Sequence, residues 1–106
     1  MYAQMKKFVI LAAGIALLTG CGSGSSPLSG PAETVMIYRT NCLNCHGSEL
    51  QGRMDEQSNL QQVGQRMSQE DIAAKITAGG NLMPPFAERL TPEEIDQLAA
   101  WLAEKK

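Results

Sequence analysis

The chain has 106 residues, 43% hydrophobic and 19% charged. That is room for one small domain, and the chain is too apolar for a disordered tail. Its formal charge of −2 gives no electrostatic footprint for nucleic acid. With only three Cys and one His, their placement matters more than their number.

In chain order, Lys6 and Lys7 come first, followed by an unbroken apolar run over residues 8–18. A membrane-spanning helix needs roughly 20 apolar residues, so this run reads as the core of an export signal. It closes on Leu18-Thr19-Gly20-Cys21, which resembles the lipobox of bacterial lipoproteins. That resemblance implies cleavage after residue 20 and a lipid on the Cys21 sulfur. Multiple acyl chains anchor firmly, at about 0.8 kcal/mol per buried CH₂. Residues 22–31 are rich in Gly, Ser and Pro and read as a flexible tether, with an r.m.s. span of about 17 Å. The expected organisation is a signal over 1–20, a lipid-anchored tether over 21–31 and a folded domain over 32–106. Loss of the signal removes two lysines and leaves a net charge of −4. Such a charge favours a partner with a positive docking face over anionic lipid.

The remaining 75 residues are few for a self-sufficient core, so a staple or cofactor is expected. The pattern predicts an all-α domain with about three main helices and no strand. The first spans residues 32–41, with Val35, Tyr38 and Cys42 on one side. A second starts at Ser68, whose spacing to Asp71 is that of a capping box, buries Ile72, Ala73 and Ile76, and stops at Gly79-Gly80. The third starts at Thr91-Pro92, with Glu94 reaching back, and turns Ile95, Leu98, Ala99 and Leu102 inward. Residues 47–67 are polar and lack a clear period. So long a joint is expected to wrap around something.

Cys42-Leu43-Asn44-Cys45-His46 carries the chemistry. In C-x-x-C-H, two thiols on one turn add to the two vinyl groups of a haem, and the next residue offers a ring nitrogen to its iron. The rival readings each lack a part. A thioredoxin-like pair needs a βαβ context, and a zinc site needs a fourth ligand that the mature chain does not have. His46 is the only His, so the second axial ligand is sought among Met54, Met67 and Met83. Met54 is close in sequence to His46, and Met67 reads as packing beside the Ser68 cap. Met83 lies in Asn81-Leu82-Met83-Pro84-Pro85-Phe86, where two prolines stiffen the backbone, and is the expected ligand. A thioether raises the potential and fills the site against oxygen. Arg39, Arg53, Arg66 and Lys75 are candidates for neutralising haem propionates.

On Tyr38, Cys42, Cys45, His46, Gly47, Met83-Pro84 and the residue 95–102 face, the domain resembles a class I cytochrome c. With lipobox and tether it is similar to the small membrane-anchored cytochromes c-551 and c-553 of Gram-positive bacteria. The resemblance implies one covalently bound haem c and a monomeric one-electron carrier on the extracytoplasmic face of the membrane. It also implies a quinol–cytochrome c reductase as donor and a terminal cytochrome c oxidase as acceptor. The alternative is a haem enzyme or gas-binding sensor with an open sixth iron position. One feature departs from the family: the proline whose carbonyl usually orients the axial His is missing from Gln57-Ser58-Asn59-Leu60. Some other acceptor must hold His46 Nδ1.

Overall fold

The computed structural model describes residues 26–106. The expected signal over 1–20 and the expected lipidation site at Cys21 lie outside the described residues. The elements are α1 (Ala32–Asn41), α2 (Leu43–His46), a 3₁₀ turn (Glu56–Ser58), α3 (Val63–Arg66), α4 (Gln69–Ala78) and α5 (Pro92–Ala103). No strand occurs among the described residues, so the all-α expectation holds, with α1, α4 and α5 as the three main helices.

Local chemistry sets the ends of the long helices. The Ser68 hydroxyl accepts the Asp71 N–H at 3.1 Å, and the Asp71 carboxylate accepts the Ser68 N–H at 3.4 Å. Thr91 and Glu94 make the same reciprocal pair at 3.1 and 2.9 Å. Each box satisfies two N–H groups that a helix start otherwise leaves open. α4 stops at Gly79, whose φ of 71° suits glycine.

α5 is the hub, packed against α1, α3 and α4. It buries Ile95, Leu98, Ala99, Trp101 and Leu102. Across from it, Tyr38 meets Trp101 edge to face, with ring centroids 5.5 Å apart. α1 buries Thr34, Ile37 and Tyr38, and Val35 is half-buried. The inward side of α1 is thus turned about one residue from the expected Val35–Tyr38–Cys42 stripe, because Ile37 takes the deeper place.

The residues read as free linker are seated from residue 26 onward. Leu28 is buried, Ser29 donates its N–H to Ser26, and the Trp101 indole N–H donates to the Ser29 carbonyl at 3.0 Å. Leu28 is the one large apolar side chain in that stretch, and burying it ties the segment down. A side chain at Gly30 would meet the indole nitrogen at 2.5 Å, so only glycine fits there. Residues 26–31, expected to be part of the tether, thus pack on the helical domain.

The long joint over 47–67 is ordered by backbone bonds. Gly52 N–H reaches His46 O, Arg53 N–H reaches Cys45 O and Leu60 N–H reaches Leu50 O, at 2.7, 2.9 and 2.7 Å. Leu50 is fully buried with a φ of 62°. A leucine in that region costs about 1–2 kcal/mol, which its burial offsets.

Candidate haem site

Two short pieces of chain carry the C-x-x-C-H residues. Cys42 ends α1, its N–H bonded to Tyr38 O at 2.8 Å, and Cys45 and His46 lie on the single turn of α2. Gly47, at φ 94°, turns the chain away, and the buried Tyr38 hydroxyl donates to its carbonyl at 2.7 Å. That bond ties the end of the motif back to α1. Cys42 and Cys45 are both half-buried and are not joined to each other. Burial, reinforced by the neighbouring Cys45, pushes the Cys42 thiol up to about 12.

Both cysteines, His46 and Met83 line one cleft of about 820 Å³. Its walls are largely apolar, with Val63, Ile72, Ile76, Phe86, Leu98 and Leu102 among them. Around those walls stand three cations, Arg66, Lys75 and Arg89. Of the propionate candidates, then, Arg66 and Lys75 reach the cleft, whereas Arg39 and Arg53 are not among the residues lining it. Arg89 joins them without having been singled out by spacing. It lies three residues after Phe86 and stacks over that ring at 5.6 Å.

The donor set fits a haem, and the strongest indication is the histidine. His46 Nδ1 lies 2.7 Å from the Ser58 carbonyl oxygen. A carbonyl can only accept, so the proton sits on Nδ1 and the lone pair is on Nε2. That is the tautomer a metal requires. The acceptor that the sequence left unnamed is therefore Ser58, in the very stretch lacking proline. Nothing about a backbone carbonyl marks it in a sequence. Asp55-Glu56-Gln57-Ser58, however, carries the cap-and-third-residue spacing that could have pointed to an ordered turn.

All three candidate methionines line the cleft, but they are held differently. Met54 is 52% exposed, while Met67 and Met83 are half-buried. The Met83 carbonyl accepts the Gly80 N–H at 2.9 Å. A Cβ on Gly79 would come within 2.5 Å of the same oxygen and 2.8 Å of Pro84 and Pro85. On the other side, Phe86 N–H is bonded to Ile76 O at 3.0 Å. Met83 is thus clamped between a glycine turn and two prolines, both fastened to α4.

Comparison with known proteins agrees. Residues 30–102 match the family model described as cytochrome C oxidase, cbb3-type, subunit III. Cytochrome c6 of Nostoc sp. is 35% identical over 106 residues, covering 95% of both chains. Cytochrome c-551 of Bacillus subtilis is 33% identical over 113 residues, covering 94% of this chain and 97% of its own. Among solved structures, cytochrome c6 from the diatom Phaeodactylum tricornutum superposes with a TM-score of 0.57 at 27% identity, covering 76% of this chain and 92% of that one. With the motif, the cleft and the tautomer in agreement, the chain belongs to the class I cytochromes c, electron carriers, and holds one haem c through Cys42 and Cys45.

Proposed function

We propose that this protein is a respiratory one-electron carrier, its iron ligated by His46 and Met83 and its domain lipid-anchored through Cys21 outside the cytoplasm. The observation that carries the reading is the His46–Ser58 bond, which leaves Nε2 alone free for a metal on a cleft that Met83 also lines. When bound, the haem supplies a one-electron ferric/ferrous couple. The chain's own residues do the rest. Cys42 and Cys45 would hold the group covalently, and His46 and Met83 would take the two iron positions that a substrate needs. The apolar walls keep water out, which favours the less charged ferrous form. No residue needs to move a proton, and the chain acts as a carrier, not an enzyme.

Membrane attachment rests on the order of charged start, apolar run and Cys21. The Gly-, Ser- and Pro-rich residues after Cys21 serve as a short tether. Confinement so close to the bilayer raises the effective concentration of the carrier near membrane complexes. A quinol–cytochrome c reductase is the proposed donor and a terminal cytochrome c oxidase the acceptor. The oxidase in the family model's description supports the second. The net charge of −4 fits basic docking faces on both, and the carrier works as a monomer.

The test uses membranes from cells making the full chain, with quinol as electron source. The haem should be reduced by quinol and reoxidised through the oxidase. Cys21→Ser should release the protein from the membrane fraction and slow both steps. A Cys21→Ser protein that remains on membranes would contradict the anchor, and a haem inert to quinol and oxidase would contradict the role.

A further inference from the structure

Asp55 and Ser58 make a closed loop of hydrogen bonds beneath His46. Ser58 N–H donates to Asp55 Oδ1 at 3.0 Å, and Ser58 Oγ donates to the Asp55 carbonyl at 2.6 Å. The same Oγ accepts the N–H groups of Met54 and Asp55, at 3.3 and 3.2 Å. Ser58 is buried whereas Asp55 is exposed. Gly52 keeps the space open, since a Cβ there would meet Ser58 Oγ at 2.6 Å and Asn59 N at 2.7 Å. Counting that from His46 and the Ser58 N–H bond to the Asp55 carbonyl at 3.1 Å, six bonds converge on one serine. Its carbonyl aims at the ring nitrogen.

We propose that Asp55 and Ser58 act as a positioning pair: their reciprocal cap fixes the Ser58 carbonyl, and through it the plane and tautomer of His46 and the reduction potential of the bound iron. The hydrogen bonds of the Ser58 hydroxyl and the Asp55 carboxylate go to each other's residues and to the Met54 N–H, not to the ring. They act by holding the acceptor. A firmly held acceptor on Nδ1–H makes the imidazole a better electron donor, which favours the ferric state. Loosening the pair therefore weakens the bond, frees the N–H to exchange, and moves the potential up. The inference rests on His46 as an axial ligand, and the design below separates the two claims.

The experiment compares holoprotein carrying Asp55→Ala or Ser58→Ala with the conservative variants Asp55→Asn and Ser58→Thr. Three quantities are read: solvent exchange of His46 Nδ1–H in the ferrous protein by NMR, reduction potential, and thermal midpoint. Both alanine variants should speed the exchange roughly tenfold, the effect of losing about one net hydrogen bond. They should also raise the ferrous-to-ferric ratio at fixed potential roughly threefold, about 28 mV at 59 mV per tenfold. Asn and Thr, which keep an acceptor and a hydroxyl, should return both readouts toward the parent.

Alanine variants that melt earlier yet keep parental exchange and potential would overturn the proposal, leaving a cap that only stabilises the turn. Should Ser58→Ala fail to mature, Asp55→Ala decides alone, since that residue is exposed and its loss costs only a cap. A parent without a six-coordinate low-spin ferric spectrum would sink the ligand assignment itself. An intact parental spectrum with unresponsive variants sinks only the positioning pair.

Discussion

Tyr38 shows how one side chain can serve both core and site. Its ring meets Trp101, and its hydroxyl donates to Gly47 O directly after the haem-binding His46. Burial first, and then the Cys42 sulfur, push the phenol well above its ordinary value of 10.0. The folded state thus holds the proton more tightly than the unfolded state. The stabilisation is full below pH 10 and is lost as pH climbs toward the folded value. In Tyr38→Phe, about 1 kcal/mol should disappear at neutral pH with the hydrogen bond. Denaturant melts at stepped pH should also show a shallower alkaline decline than the parent's. Equal alkaline slopes would refute this role. At this scale the sequence was legible where chemistry sits in side chains: Cys42, Cys45, His46 and Met83 stand out by type and spacing, and the fold brings all four to one cleft. It was illegible where function sits in the backbone, because the Ser58 carbonyl has no residue signature.

Among the elements, capping chemistry was readable because it is local. Ser68 with Asp71 and Thr91 with Glu94 each span three residues, and the structure holds both boxes. Thr91→Ala should cost about 1 kcal/mol of stability by thermal melt, and Thr91→Ser almost nothing. The Ser29–Trp101 seat was not readable, since its hydrogen bond joins positions 72 apart, and a Gly/Ser-rich segment gives no periodic cue. α4 has a further task, because its terminal Gly79 packs against the loop carrying Met83. Gly79→Ala places a Cβ against the Met83 carbonyl at a positive φ. It should weaken the ferric methionine-sulfur band far more than its stability cost alone implies. A variant with a parental band would show that the loop sets Met83 without that contact.

The whole molecule is a helical shell with too little to bury on its own. A true void costs about 24 cal/mol per Å³. If a third of the 820 Å³ cleft behaved as one, the loss would be about 6–7 kcal/mol. A domain of this size holds roughly 4–11 kcal/mol in total. Replacing both Cys42 and Cys45 by Ala should therefore leave a protease-sensitive chain without a cooperative melt, whereas a sharp melt in that variant would mean the haem is an ornament on a finished fold. The irregular 47–67 joint makes sense at this scale as well. It lines one side of the cleft, buries Leu50 in the core and presents Ser58 to the imidazole.

The account turns on His46 and Met83 gripping one iron, so optical spectroscopy of the purified holoprotein, exposed to carbon monoxide once reduced, is the most direct measurement. The ferric protein should show the methionine-sulfur charge-transfer band, and the ferrous spectrum should not change under the gas. Met83→Ala should lose the band and bind carbon monoxide at once. A high-spin ferric spectrum in the parent, or immediate carbon monoxide binding by it, would contradict the carrier and leave an open-iron protein in its place.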